Sequence, residues 1–286
     1  MIVVTGAAGF IASHFCSKLN FHGITNLILV DDFTQKNKRK NWENLEYVDK
    51  IQRDVFLQWA EQNVQHIDFI FHLGARTDYF STDDSIFEAL NLDFSQKVWM
   101  FATKKRIPLI YASSYLANDE RQQSPFVKSK YLFDKWTEKQ QQTPPFWAGL
   151  KFFHVYGKNE EHKAENASNV YKIYKNITEI NDVMHDYIYV NDVSKVLFFF
   201  LNHAPHSGIY EIGTGFARPV QAIVEAINKA MNPASPYPSP LTRNPIPDTP
   251  HPSTLIFQAD LALLRKFAFK QAFLTLEQGV KCMFRK

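Results

Sequence analysis

The residue types that could hold a ligand come first in the chain. Gly6 and Gly9 follow the apolar run Ile2-Val3-Val4 and precede Ile11, Phe15 and Leu19, which are spaced one helical turn apart. Glycine lets a bound group approach the backbone with no Cβ in the way. The start of the helix, at Phe10 and Ile11, offers unpaired N–H groups and a positive dipole end, which suit a pyrophosphate. Asp31 closes the next apolar run, Leu27 to Val30, about 20 residues on, where an acidic side chain can bond an adenosine ribose. Two glycines alone would mark an ordinary strand-turn-helix. With the strand, the helix and Asp31 they predict a dinucleotide site. Asp31 favours NAD and would repel a 2′-phosphate, whereas Lys36, Lys38, Arg39, Lys40 and Arg53 could pair with one. A solvated basic loop is the plain alternative for Lys36 to Lys40.

Other reactive side chains read more quietly. Cys16 and Cys282 make no disulfide framework and lack metal-ligand spacing, and Cys16 falls on the first helix as a small core residue. His162 stands next to Lys163 without a Cys/His/Asp cluster, so no metal is expected. His72 ends a strand beside Gly74 and is read as fixing that turn. His154 ends a later strand, where a binding role and a structural one are both open. Asp192 reads as a helix cap.

The elements that must position these residues alternate through residue 155. Phe69–Leu73 reads as a strand ending in Gly74-Ala75. Asp84 to Arg106 reads as one long helix with Ile86, Leu90, Phe94, Val98 and Phe101 on a face. Pro108–Ser113 is a strand, residues 126–142 a helix, and Phe152, Phe153 and Val155 a further strand. The alternation predicts an α/β protein with a doubly wound parallel sheet, whose ligands sit beyond the C-terminal strand ends. Asp31, Gly74, Ser113, Ser114 and His154 all fall there.

The pattern loosens after Gly157. A short helix is expected over Ala167–Asn176, a second from Asp192 to Asn202, a return strand over Gly208–Ile212 and a helix from Pro219 to Met231. Eight of the 14 prolines lie in residues 233–252, which should run extended. Short helices are expected from Asp260 and from about Thr275. The expected division is a dinucleotide-binding domain over 1–156, with 186–212 returning to it, and a smaller substrate-binding domain from 157–185 and 213–286.

Composition bounds the classes. The chain has 286 residues, 45% of them hydrophobic, enough for a large core. A net charge of +3, from 32 basic and 29 acidic residues, gives no reason to expect nucleic acid or a membrane surface as partner. No apolar run is long enough to cross a bilayer, and the opening core strand leaves no signal peptide, so a cytoplasmic location is expected.

Several stretches resemble the extended short-chain dehydrogenase/reductase family of nucleotide-sugar enzymes. They are Thr5-Gly-Ala-Ala-Gly-Phe-Ile11, His72-Leu-Gly-Ala75, Tyr111-Ala-Ser-Ser114, Val155-Tyr-Gly157, Tyr187-Ile-Tyr-Val-Asn-Asp192 and Glu211-Ile-Gly-Thr-Gly215. Within it Gly23–Leu27, Ile107–Ser114, Leu132–Asp134, Glu161–Lys163 and Phe257–Leu261 resemble the ADP-L-glycero-D-manno-heptose 6-epimerases. That group makes a heptose precursor of the lipopolysaccharide inner core. The resemblance implies a Rossmann-type sheet, a nucleotide-sugar substrate, a homo-oligomer and NADP, with NAD the alternative. It implies cofactor contacts from Gly6, Gly9, Phe10, Ile11, Asp31, Asp32, Lys38, Arg53, Leu73, Gly74, Ala75, Asn91, Lys130 and Val155. It implies substrate contacts from Ser114, His154, Lys163 and His185.

Such enzymes remove a hydride from a sugar carbon to a nicotinamide and return it to the other face, while a base handles the hydroxyl proton. The family does this with Ser/Thr and Tyr-x-x-x-Lys, the lysine lowering the tyrosine pKa from about 10. The heptose enzymes add a second lysine. Ser114, Lys130 and Lys163 match these roles, but Phe126 stands in the tyrosine's place and lacks the ionisable oxygen. His185 stands where the heptose enzymes carry an arginine suited to phosphate, and Ser253 where they carry a tyrosine. The loop between Ser114 and Phe126 is shorter than the family's. Tyr131-Leu-Phe-Asp-Lys135 also spells Tyr-x-x-x-Lys, but lies about 140° further round the helix and should point away from the Lys130 side. Tyr115 is a second stand-in of no greater weight. An epimerase and a non-catalytic relative that binds a dinucleotide or nucleotide sugar as a sensor or scaffold therefore both stand as readings.

Overall fold

The computed structural model describes residues 1–78, 81–118, 124–175, 183–231, 255–267 and 269–284. The Pro-rich stretch and Ser253 lie outside them, as does part of the 115–125 loop. The chain divides into two units, Met1–Phe152 with Ser194–Tyr210, and Phe153–Val193 with Glu211–Lys286. The cut therefore falls before residue 156, and residues 186–193 go with the second unit rather than the first. Pairing decides this, since residues 154–156 and 187–189 join each other in a separate small sheet.

The first unit opens with β1 (Ile2–Thr5), α1 (Phe10–Phe21), β2 (Leu27–Asp31), β3 (Asp49–Gln52), α2 (Phe56–Gln62) and β4 (Phe69–His72). α3 (Asp84–Phe87) and α4 (Phe94–Lys105) follow, then β5 (Leu109–Ser114), α5 (Pro125–Glu138) and β6 (Trp147–Phe152). Strand order is β3-β2-β1-β4-β5-β6, every pair parallel, so helical crossovers must lie between successive strands. β1, β2 and β4 are apolar along both faces, as a sheet covered on both sides requires. Beneath one face Val3, Phe56, Val98, Trp99, Phe101, Tyr111 and Phe133 form one buried cluster. Each such side chain contributes roughly 1.5–3 kcal/mol by leaving water.

The second unit holds β7 (His154–Tyr156), α6 (Asn169–Tyr174), β8 (Met184–Tyr189) and the start of α7 (Val190–His203). α7 then leads to β9 (Gly208–Ile212), which ends the strand order of the large sheet. β10 (Ala217–Pro219), α8 (Val220–Met231), β11 (Ile256–Phe257), α9 (Ala262–Lys266) and α10 (Leu276–Phe284) complete the second unit. β8 is its centre, antiparallel to β10 and parallel to β11 and β7.

Several expectations need correction. The helix expected over 84–106 is interrupted, because residues Glu88–Asp93 form a π-turn between α3 and α4. The strand expected across 152–155 is two strands in two sheets, β6 and β7, parted at Phe153. The Phe153 N–H turns instead to the Ile212 carbonyl at 3.0 Å. Short β3 and the polar-flanked β8 escaped the hydrophobic pattern. Pro219 belongs to β10, one residue before α8 starts. Asp192 is not a cap. It lies inside the first turn of α7, fully buried, and its Oδ2 accepts the Leu274 N–H at 2.7 Å.

Candidate active site

In the first unit the β1–α1 turn is built by close backbone approach. Gly6 has φ of +71°, and a Cβ there would overlap the Gly74 backbone. A Cβ on Gly9 would stand 2.9 Å from the Gly6 carbonyl oxygen. No side chain caps α1, and no acidic residue lies in its first turn. Phe10 is buried and Ile11 half-buried at this end, and Ala12 is buried in place of a third glycine. A helix N-terminus with glycine approach and no competing carboxylate fits a pyrophosphate.

Asp31 ends β2 on the same edge. Its Oδ2 accepts the Ala8 N–H at 2.9 Å, its Oδ1 accepts the Asp32 N–H at 2.7 Å, and Lys38 Nζ stands 3.5 Å from that Oδ1. Asp32 caps the next turn, accepting from Thr34 Oγ1 at 2.5 Å and Gln35 Nε2 at 3.1 Å, which holds its carboxyl below the usual range. Gln52 lies opposite Asp31 in the sheet, so Arg53 follows at the neighbouring strand end, paired with Asp54 at 2.9 Å.

Leu73, Gly74 and Ala75 leave β4 beside the glycine turn, where the Gly74 N–H donates to Thr5 Oγ1 at 3.2 Å. His72 is buried between Thr5 Oγ1 and Ser95 Oγ, 2.8 Å from each, and burial pulls its pKa down to about 3. Asn91, in the π-turn, accepts the Arg76 N–H at 2.8 Å, donates to the Arg76 carbonyl at 3.0 Å and donates to Ser129 Oγ at 3.0 Å. Ser129 Oγ donates in turn to the Phe126 carbonyl at 2.7 Å. One run of hydrogen bonds thus links the glycine turn to α5. The role of Asn91 in this run is to fix the chain after Gly74.

α5 carries the expected reaction residues. Phe126 is 6% exposed, packed with Phe87, Val127, Ala75, Ile86 and Leu116. Lys130, one turn on and 4% exposed, donates from Nζ to the Ala112 carbonyl of β5 at 2.8 Å. Burial lowers the Lys130 pKa to about 8, partly offset by Asp134. Ser114 ends β5 and is buried, its Oγ accepting the Leu116 N–H at 3.3 Å. Ser114, Phe126 and Lys130 are therefore gathered around the end of β5. The shifted register is turned outward, since Lys135 is exposed and paired with Glu138 at 2.8 Å. Tyr115 is buried beside Ser114.

Sequence reading passed over Asp134. It lies one turn beyond Lys130, 2% exposed, where Ser113 Oγ donates to it at 2.7 Å and Lys151 Nζ stands 3.7 Å away. Burial raises its pKa. Spacing was the available signal, because Phe126, Lys130 and Asp134 fall at successive i,i+4 positions of one helix.

The second unit holds the other expected residues. Val155 is buried in β7. Lys163 pairs with Glu160 at 3.2 Å, and the fully buried Glu160 also accepts from Gly157 N at 3.0 Å, Ser168 N at 2.8 Å and Ser168 Oγ at 2.7 Å. Ala164, next to Lys163, has φ of +46°, an uncommon backbone state for a residue with a Cβ. His154 and His185 face each other with ring centroids 4.0 Å apart. Burial lowers the His185 pKa to about 4, and burial with the charges of His185, Lys163 and Lys172 takes His154 well below its usual value. Lys172, on α6, had no signal in the sequence. No group of three metal-ligating side chains occurs among the described residues. No helix among them is long and apolar enough to cross a membrane.

Residues 2–213 match the NAD dependent epimerase/dehydratase family. The ADP-L-glycero-D-manno-heptose-6-epimerase of Fusobacterium nucleatum is 31% identical, the match covering 98% of this chain and 96% of that protein. The crystal structure of the Helicobacter pylori ADP-L-glycero-D-manno-heptose-6-epimerase superposes with a TM-score of 0.77 at 20% identity, over 99% of this chain and 94% of that one. UDP-N-acetylglucosamine 4-epimerase from Methanobrevibacter ruminantium superposes with a TM-score of 0.80 at 19% identity, over 99% and 96%. These two structures share the fold.

Proposed function

From the premise that the chain belongs to the NAD dependent epimerase/dehydratase family, we propose that it is a nucleotide-sugar epimerase of the ADP-heptose 6-epimerase type whose turnover is impaired by Phe126. The observation that carries this reading is the 31% identity to a heptose epimerase along nearly the whole of both chains. NADP is the dinucleotide of this reading, in which Lys38, now 3.5 Å from Asp31, and Arg53, now paired with Asp54, would turn to a 2′-phosphate. When bound, the nicotinamide supplies reversible acceptance of a hydride.

This chain's own residues supply binding and proton handling. The α1 N-terminus and Gly6–Gly9 turn hold the pyrophosphate. Lys130, tied to Ala112, presents a buried cation for the nicotinamide ribose. Ser114 orients the sugar hydroxyl. The proton step lacks the phenol that the family uses, which removes a positioned acid–base group worth about 100-fold or more.

A second reading rests on the apolar packing of Phe126 against Phe87 and Val127, which leaves no oxygen at that position. It takes the chain as a non-catalytic relative that binds a dinucleotide or nucleotide sugar. Assay of purified protein with ADP-heptose and NADP separates the two. The epimerase reading expects slow turnover that Phe126→Tyr raises about 100-fold or more. No turnover in either protein, with NADP still bound, supports the second reading. Full activity without the tyrosine overturns the claim of impairment, failure to bind NAD or NADP overturns the epimerase reading, and failure to bind ADP-heptose as well overturns both.

A further inference from the structure

Ser114 stands at the end of β5, and the chain on either side of it is held by side chains of α5 and β6. Lys130 Nζ donates to the Ala112 carbonyl at 2.8 Å. Ser113 Oγ donates to Asp134 Oδ2 at 2.7 Å. Lys151 Nζ donates to the Ala117 carbonyl at 2.8 Å and to Asn118 Oδ1 at 2.6 Å. Local geometry explains why these three side chains meet. Lys130 and Asp134 are four residues apart on α5 and so share a face. Lys151 of β6 pairs with Ser113 of β5, so both side chains leave the same side of the sheet. That side is the one α5 covers, since Tyr111 and Ser113 bond Thr137 and Asp134 there.

The group is buried. Lys130 is 4% and Asp134 2% exposed, and Lys151 Nζ stands 3.7 Å from Asp134 Oδ2 with its side chain 13% exposed. The other acceptors of both lysines are neutral. Among the described residues Asp134 is therefore the one carboxylate that serves two buried ammonium groups. Other titratable groups nearby bring no further charge. His72 of β4 is kept neutral by burial, and burial holds Tyr111 of β5 as a phenol. Glu138, one turn beyond Asp134, is exposed and paired with Lys135 at 2.8 Å. Asp134 Oδ1 is buried with no hydrogen-bond partner among the described residues. A buried carboxylate short of donors is unfavourable unless neighbouring cations stabilise it, and each of these lysines depends on it in turn.

We infer that Asp134 is a positioning residue for the reaction, the shared counter-ion that sets Lys130 and Ser114 at the end of β5. It acts through those two residues and not on cofactor or sugar. The inference rests on the reading of Lys130 and Ser114 as ribose and sugar contacts given above, and adds the group that holds them. Lys130 spends one N–H on Ala112, so two remain for a ribose diol. Loss of its charge would remove one donor and weaken the others. Burial opposes that charge, and Asp134 supports it. Lys151 draws on the same carboxylate and repels Lys130. The two neighbours therefore act on Lys130 with opposite sign.

The test is an NMR titration of the full chain, labelled with carbon-13 at lysine Cε, from about pH 6 to about pH 10. The Lys130 signal is identified by its loss in Lys130→Arg. Asp134→Asn keeps the shape and removes the charge, and should lower the Lys130 midpoint by about one pH unit or more. Lys151→Met should move the same midpoint upward, a reversal that loosened packing does not produce. Affinity for NADPH, by fluorescence titration of the same proteins, should begin to fall at a lower pH in Asp134→Asn and at a higher pH in Lys151→Met. A Lys130 midpoint unmoved by both variants, or moved the same way by both, overturns the proposal. If Asp134→Asn does not fold, Lys151→Met decides alone, an upward shift supporting the proposal and any other result overturning it. The expected midpoints in a protein that binds no NADPH support the role of Asp134 and overturn the dinucleotide reading instead.

Discussion

At the scale of single residues, the exchange of a phenol for a phenyl ring is the consequential feature of this chain. Phe126 sits in an apolar pocket with Phe87 and Val127, so a restored hydroxyl gains activity only where it finds a polar neighbour. Phe126→Tyr should cost no more than about 1–3 kcal/mol of stability, the penalty for a buried hydroxyl left unpaired, read by urea unfolding. His72 gives a pH signature. Its folded pKa of about 3 lies below an unfolded value near 6.5, so the native state refuses a proton that the unfolded chain accepts. Stability is therefore unaffected by His72 above pH 6.5 and falls as pH drops from 6.5 towards 3, by at most on the order of 5 kcal/mol. His72→Gln should flatten that part of the unfolding-versus-pH curve, whatever it costs at neutral pH.

At the scale of elements, the β1–α1 turn and the π-turn do the positioning. Gly6→Ala would place a Cβ against Gly74 at a φ of +71°. It should abolish dinucleotide binding, measured by fluorescence titration with NADPH, and lower the thermal midpoint by several degrees. Asn91→Leu would strip the Arg76 N–H and carbonyl of their partners and leave Ser129 short of one. A loss of about 1–3 kcal/mol by denaturant unfolding is expected, because the buried Ser129 hydroxyl and the part-buried bonds to Arg76 would each lose a partner. A change below about 0.5 kcal/mol would mean that water replaces the amide without difficulty. The π-turn is the reason that Asn91 reaches Arg76 from a helix the sequence drew as continuous.

At the scale of the whole molecule, the two units carry different parts of the proposed chemistry. The glycine turn, Asp31, Ser114, Phe126 and Lys130 belong to the first, and His154, Lys163 and His185 to the second. NADP at 100 times its dissociation constant should stabilise the protein by about 2.7 kcal/mol. In hydrogen exchange the added protection should include the amides of residues 6–12 and 73–76. Protection confined to residues 153–193 would place the dinucleotide elsewhere.

The sequence by itself determined what depends on neighbours along the chain. Apolar runs alternating with helical spacing fixed the order of β1, α1, β2, β4, β5 and α5. Gly6, Gly9 and Asp31 could be read because a turn and the strand ends flanking it are local. Phe126 and Lys130 could be read because a helix sets i and i+4 on one face. Pairing between distant segments was decided only in the tertiary structure, since periodicity gives the face of a strand but not its neighbour. That is why β6 and β7 separated into different sheets. It is also why Asp192 became a buried acceptor for Leu274 instead of a cap. His154 and His185 looked like two isolated histidines in sequence. The parallel register of β7 with β8 made them one contacting pair, ring planes tilted by 58°, because it alone set which side chains share a face.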